Sequence, residues 1–471
     1  MPSCLFGVVA LMSASCGAFS GASSEGAPEP PKVSPECDPN ETPGAGVFVS
    51  ASIGLAGGLG TQAIPLKTIR EGLEAAAAKG VNRVFVDEGS YPEKLEFTDR
   101  HAGIIVSGGW KGAETSWRRE CESGARAKTI LASPESVAVS VTATISAPTS
   151  GLESLTLSST ALGAAPADTS GTSSIGVLVQ GPASFRLRFV KVVATRGGMG
   201  GVASPKPAQT GTVACTGVGA TCTNGSAGST LAAGAQASPG IFAANGFRPG
   251  DGAPGAVGTP GANGTPGTTP RSQSCAIDVS GQCMTDNGDC LAVNAIVAAN
   301  PGSCGCGGQG GEGGRPGRGG GASIGILVVG TGTVAVESAS ITAVGGGDGS
   351  AGGAGAEGAA GGVGRDGGPV KCLTEALGDG PNGPNCRCVL KVDLPIAGGT
   401  PGGRGGGGGA GSIGGGGAGG PAYGFVVVGG GKVLEDAATV FSVGPGGAGA
   451  GEAPGGASAK SLFVEAPADG G

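Results

Sequence analysis

The sequence predicts an all-β solenoid, short strands stacked coil upon coil, interrupted by two long glycine-rich insertions. Two observations carry this. The first is a motif that recurs: Ser174-Ile175-Gly176-Val177-Leu178-Val179-Gln180-Gly181, then Ser323-Ile324-Gly325-Ile326-Leu327-Val328-Val329-Gly330, then Ala422-Tyr423-Gly424-Phe425-Val426-Val427-Val428-Gly429. Each copy runs without a gap into a second apolar stretch, ending near Thr195, Val344 and Val443. Two short strands joined by a glycine turn in about 22 residues make one coil, and stacked coils bury what one coil cannot. The second observation is glycine itself. It fills 104 of 471 positions, about three times ordinary usage, and in four stretches it falls on every third residue.

The chain opens with an apolar run, Leu5 to Met12, followed by Ser13-Ala14-Ser15-Cys16-Gly17; the first charged side chain is Glu25. So short a run is an export signal rather than a membrane span, which needs about 20 apolar residues. Small residues before Cys-Gly resemble a bacterial lipoprotein signal, which implies that Cys16 is the acylated residue. The sequence departs from that pattern in having no Lys or Arg ahead of the run and Ser13 where Leu is preferred. Residues 1–16 are thus expected to be the export or lipoprotein signal. Residues 17–46, rich in Ser, Gly, Ala and Pro, are expected to be a flexible tether.

Order is expected from Val47. Pro65 suits a first helical position. Leu66, Ile69, Leu73 and Ala76 follow at helical spacing, and Lys79-Gly80 ends the helix. Val84 and Val86 share one face of a strand, and Gly89-Ser90-Tyr91-Pro92 turns the chain. Leu95 with Phe97, and Ile104 with Val106, mark two more strands. Val137 to Val141 and Leu152 to Leu157 alternate as earlier coils should.

Gly60-Thr61-Gln62, Pro65, Thr68-Ile69, Leu73, Ala75 to Ala78, Gly80, Val84-Phe85-Val86, Gly89, Tyr91, Glu93 and Leu95 resemble the opening of pectin-lyase-like, right-handed parallel β-helix proteins of bacterial surfaces. The resemblance implies a right-handed parallel β-helix whose open end is covered by an N-terminal capping helix. A stacked repeat needs such a cover, because its end is apolar. The expected organisation is a cap and first coils over 47–196, an insertion over 197–322, a coil over 323–345, a second insertion over 346–422, and the last coil and C-terminal end over 423–471.

Both insertions leave at the same point of the repeat. Their glycines keep phase from Gly252 through 252–269, from Gly302 through 302–322, from Gly346 through 346–369 and from Gly399 through 399–422. A three-residue period suits a polyproline-II-like helix with one face bare of side chains, which lets backbones approach closely. Prolines are too few for collagen. Each insertion therefore reads as a hairpin of two extended arms, and the arms resemble those of a polyglycine-II bundle. In composition they also resemble PGRS-type domains of bacterial surface proteins. Some glycine-triplet bundles bind ice, which that resemblance makes a further expectation.

Of 14 cysteines, removing Cys4 and Cys16 leaves an even set, which in an exported chain reads as disulfides. The candidates are Cys37, Cys121, Cys215, Cys222, Cys275, Cys283, Cys290, Cys304, Cys306, Cys372, Cys386 and Cys388. Cys37 and Cys121 bracket the first ordered segment. The others sit largely at hairpin ends, where arms that bury little apolar area need another source of stability. Metal is disfavoured: the C-x-C pairs Cys304/Cys306 and Cys386/Cys388 have no histidine nearby.

The chain has one histidine, His101, which excludes two-histidine zinc sites. A net charge of −7 and 3 % aromatic residues argue against nucleic acid. The β-helix resemblance raises polysaccharide cleavage. The acids Asp87, Glu88, Glu93, Glu96 and Asp99, with Arg100 and His101, gather near the cap and are expected to be a solvated rim. Arg186 and Arg188 alternate outward, where a strand needs polar residues anyway. Trp110 and Trp117 are expected to pack rather than stack on sugar. Gly361-Gly362-Val363-Gly364-Arg365-Asp366 begins like a calcium β-roll repeat, but Gly368 stands where a large apolar residue is required and no tandem copy follows. No catalytic, cofactor or metal residue is assigned. The expectation is a non-catalytic exported protein, at the outer membrane or cell surface, with a structural or adhesive role. Its membrane contact would be through a lipid anchor, and its partner a cell-surface or extracellular polysaccharide. The alternatives are a carbohydrate-binding or polysaccharide-cleaving β-helix, and an ice- or surface-binding bundle.

Overall fold

β-branched and aromatic residues alternate with polar ones in short runs, and these runs form strands that pack on one another through their apolar faces. The computed structural model describes residues 41–112, 116–120, 126, 128–212, 225–243, 246–267, 278–279, 301–367, 390–391 and 400–465. Residues 1–40, expected to hold the export signal with Cys16 and most of the tether, lie outside them.

Three parallel sheets make up the framework. The first contains Val47–Val49, Arg83–Asp87, Ile105–Lys111, Ser150–Glu153, Ser184–Arg188, Thr333–Glu337 and Lys432–Glu435, with Arg118–Arg119 antiparallel to Ile105–Lys111. The second contains Gly89–Tyr91, Thr129–Ala132, Thr156–Ser158, Lys191–Ala194, Ser340–Ala343 and Val440–Val443. The third contains Leu95–Phe97, Val137–Thr142, Ser174–Gln180, Ser323–Val329, Ala422–Val428 and Ser458–Val464. From Arg83 onward the chain visits the sheets in rotation, six times. The result is all-β and of the β-helix-like class. Val177, Val179, Phe185, Leu187, Ile326 and Val328 are among the side chains buried between the sheets.

The repeated motif stacks on itself residue for residue: Ser174 pairs with Ser323 and Ser323 with Ala422, through to Gln180, Val329 and Val428. Its internal glycine keeps the interior thin. A Cβ on Gly176 would lie 2.3 Å from Val192 Cγ1, and one on Gly325 2.3 Å from Ile341 Cγ2. Its closing glycines, Gly181, Gly330 and Gly429, turn the chain with φ of 76°, 101° and 100°, a region glycine enters without steric cost. Ser458–Val464 continues the ladder as a fourth copy, with Lys460 at the glycine position.

Each round holds three strands, which corrects the expected two. The second apolar stretch is bent at Ser154, Phe189 and Ser338, whose φ values are 52°, 52° and 50°. One left-handed residue makes the corner, so no glycine or proline marks it in the sequence.

The sole α-helix among the described residues, α1 (Ile69–Lys79), starts later than Pro65 suggested. Thr68 caps it, in a box with Glu71, and Gly80 ends it in the left-handed region. Leu66 is spent on the preceding loop, where its N–H bonds Phe48 O at 2.9 Å. Ile69, Leu73 and Ala76 are buried, on Val47, Val49 and Val84 of the first sheet.

Between the second and third sheets the chain makes its long glycine-rich excursions. The arms are extended and bond at three-residue steps. Gly255, Gly258 and Gly261 donate to Gly314, Gly311 and Gly308, an antiparallel pair; Gly408, Gly411 and Gly414 donate to Ala359, Ala356 and Gly353, a second. The two pairs also bond each other, because Gly308 and Gly311 donate to Gly406 and Gly409, while Gly406 and Gly409 donate to Ala262 and Thr259. A further arm over 225–237, absent from the sequence reading, joins them: Gly228 and Gly234 donate to Gly407 and Ile413. Its signal was Gly225, Gly228 and Gly234 at triplet spacing, interrupted by Leu231.

Candidate functional site

Of the acidic residues near α1 expected to form a solvated rim, Glu96 is exposed and Glu88 and Asp99 are partly so, but Asp87 and Glu93 are buried. Asp87 is 1 % exposed and Glu93 6 %. Asp87 accepts from Ser50 Oγ at 2.7 Å and from the backbone N–H of Glu88 and Gly112, both at 2.9 Å. Glu93 accepts from the N–H of Ile69 at 2.7 Å and of Arg70 at 3.0 Å, the first two groups of α1. A carboxylate there satisfies orphan donors and the helix dipole together. Burial nevertheless holds the Glu93 carboxyl above its ordinary range, against the pull of those N–H groups. Glu96 pairs with Lys94 at 2.8 Å, which lowers its pKa. Asp99 accepts from Thr144 Oγ1 at 2.6 Å and is likewise lowered. His101 Nδ1 accepts from Thr98 N at 3.1 Å, and its Nε2 lies 3.2 Å from Glu74 Oε1 on α1; Arg100 reaches the other oxygen of Glu74. The acids thus serve separate structural partners. Among the described residues no group of His, Cys, Asp or Glu could hold a metal ion.

The outer face of the first sheet carries a charge ladder. Glu153 accepts from Arg83 at 2.9 Å and Arg188 at 3.0 Å, and Arg188 also approaches Glu337 at 3.9 Å. Arg119 is buried beside it, over the Trp110 ring at 5.0 Å, bonded to Gly108 O and Ser154 Oγ. Burial alone would raise the Glu153 carboxyl; the charges of Arg119, Arg83 and Arg188 outweigh it and hold the group low. Arg188 is therefore consumed by the ladder, and Arg186 is left half-buried on the sheet surface.

Trp110 and Trp117 are 1 % and 4 % exposed and pack with Phe48 and Phe85, so neither presents a ring to a sugar. Among the candidate disulfide residues only Cys304 and Cys306 are described. Cys306 is disulfide-bonded. The other candidates lie outside the described residues. The calcium-like stretch belongs to an arm: a Cβ on Gly361 would meet Gly405 O at 2.1 Å, and one on Gly364 would meet Gly402 O at 2.0 Å.

A recess lined by Phe97, Asp99, Thr142, Pro148 and Ser184 measures ≈ 20 Å³, room for about one water. The larger available surfaces are the arms. On the arm over 354–363 the exposed positions recur every third residue, at Ala354, Glu357, Ala360 and Val363, whereas on the arm over 225–237 nearly every residue but the triplet glycines is exposed. No helix among the described residues is long and apolar enough to cross a membrane. Comparison with protein-family models, curated proteins and solved structures returns no match.

Proposed function

We propose that this is a non-catalytic, exported cell-surface protein with a structural or adhesive role. On this reading a right-handed parallel β-helix, capped by α1, is the stalk. The excursions over 197–322 and 346–422 are a lateral polyglycine-II bundle, with disulfides at its ends. Cys16 carries the lipid, and a surface polysaccharide is the partner. The observation that carries the reading is the arm over 402–420, whose backbone is bonded by five other segments, over 225–237, 250–265, 302–320, 347–365 and 447–454. Such rigidity without side chains is a scaffold property. The spending of Asp87, Glu93 and Asp99 on structural donors supports the non-catalytic part.

Binding of the full chain to insoluble cell-wall polysaccharide tests it, with Gly411→Val alongside. Loss of binding in the variant, with sheet content by circular dichroism unchanged, makes the bundle the working surface. Equal binding places the site on the β-helix and favours the carbohydrate reading. Release of product from an acidic polysaccharide overturns the non-catalytic assignment. A second reading, attachment to ice or another crystalline surface, is favoured by the triplet recurrence of exposed Ala354, Glu357, Ala360 and Val363. Absence of thermal hysteresis and ice shaping in the full chain ends it.

A further inference from the structure

The loop between Val49 and α1 presents an apolar surface that the sheets do not use. Ile53, Leu55, Leu59 and Ile64 are 45 %, 59 %, 63 % and 39 % exposed. Single exposed aliphatics are ordinary, but four on one loop are not. Residues 51–66 contain no charged and no aromatic side chain.

The loop is held in shape. Its base closes through Ser50 N to Leu66 O and Leu55 N to Pro65 O, each 2.9 Å, and two turns form its rim, Gly58 N to Leu55 O and Thr61 N to Ile64 O. Glu71 accepts from Gly57 N, and Trp117 Nε1 donates to Gln62 O. Two ammonium groups sit under the rim: Lys67 Nζ donates to Ala51 O at 2.5 Å and Lys79 Nζ to Leu59 O at 2.6 Å. Beside the loop Lys67, Arg70 and Lys79 outnumber Glu71, the carboxylate that touches its rim, so cationic groups are in excess around an aliphatic tip in a chain of net charge −7. Aliphatic side chains above cationic ones match the boundary between anionic headgroups and acyl chains. A protein partner would gain little here, because the rim offers no aromatic anchor.

We propose that the rim of this loop is a membrane-contact surface for an anionic lipid bilayer, with Ile53, Leu55, Leu59 and Ile64 entering the interface and Lys67 and Lys79 facing phosphates. This goes beyond the surface-protein reading, which needs only the N-terminal anchor.

The test puts an indole on the rim of the full chain, Leu59→Trp, and a control on an arm, Val363→Trp. Val363 is 72 % exposed. The parent chain supplies the background from Trp110 and Trp117. With phosphatidylglycerol–phosphatidylcholine vesicles carrying brominated acyl chains, the emission added by Leu59→Trp shifts to the blue and is quenched, and that of Val363→Trp is not. A Leu55→Ser/Leu59→Ser double variant lowers vesicle partitioning of chains carrying Cys16→Ser about tenfold or more. Equal quenching at both positions, or none at position 59, overturns the proposal. Vesicle capture of the parent chain without quenching at position 59 leaves the anchor reading intact and overturns this one alone.

Discussion

Leu187 between the sheets and Gly411 in the arms are both buried, and for opposite reasons. Leu187 is 0 % exposed and packs among other aliphatic side chains. Gly411 has no side chain, and a Cβ there would lie 1.9 Å from Glu312 O. The sheets are held by apolar area removed from water, which tolerates exchange between aliphatics of similar volume. The arms are held by backbone bonds at three-residue steps, such as Gly411 N to Ala356 O at 2.9 Å. That arrangement tolerates almost any outward residue and no inward one. One chain thus joins two kinds of order: one written in side-chain volume, the other in its absence.

Removing volume from the sheets gives the largest expected effect. Leu187→Ala leaves a cavity and costs about 2–5 kcal/mol, read as a fall in urea midpoint at unchanged slope. If the loss were under about 0.5 kcal/mol, burial would not be what holds the sheets.

Adding volume to the arms is the complementary break. Gly411→Ala forces backbone apart and costs about 1–3 kcal/mol. Hydrogen exchange should show it as faster exchange at Gly411, Gly414 and Ala356, with the amides of Ser323–Val329 unchanged. Acceleration in that strand as well would mean that sheets and arms unfold together.

Acid sharpens the comparison, since the arms over 402–420 rest on neutral groups and the first sheet does not. The Glu153 carboxyl is held low in the folded chain. The folded state therefore binds its proton less readily than the unfolded state, whose glutamates titrate near 4.3, roughly. The stability it contributes is full above that value and is lost as pH falls through the lower folded value. The difference in thermal midpoint between the parent chain and Glu153→Gln should shrink over that window. A difference constant across it would show that Glu153 acts through packing alone.

The smallest effect has the opposite sign. On the same arm as Gly411, a Cβ on Gly407 would meet nothing closer than Ala359 O at 3.8 Å. Gly407→Ala should be neutral or stabilise by about 0.4–1 kcal/mol by restricting the unfolded chain, seen as an unchanged or slightly raised melting temperature. A loss matching that of Gly411→Ala would mean that any side chain disrupts the arms.

Much of this was legible because each kind of order has its own period. Ile69, Leu73 and Ala76 marked the helix, the triplicated motif marked strands that pair in register, and the glycine triplets marked extended arms that bond at three-residue steps. The misses have physical causes. Ser154, Phe189 and Ser338 turn corners in a left-handed conformation their side chains do not announce. Asp87 and Glu93 were read as solvated because charge is usually exposed, and the donors that retain them, Ser50 Oγ and the first N–H groups of α1, lie far off in sequence. The arm over 225–237 was hidden because Leu231 breaks its glycine series.

The sequence by itself determined which segments are strands, which are extended arms and which is the helix, since those choices depend on neighbours within a few residues. It also determined that the motif copies stack without slip, because a shift of one residue would turn every inward side chain outward. Only the tertiary structure decided which arms touch. Glycine backbones are interchangeable as partners, so nothing local tells Gly411 to bond Ala356 rather than another carbonyl. That choice is fixed by the corner between the second and third sheets, where successive rounds release the arms side by side.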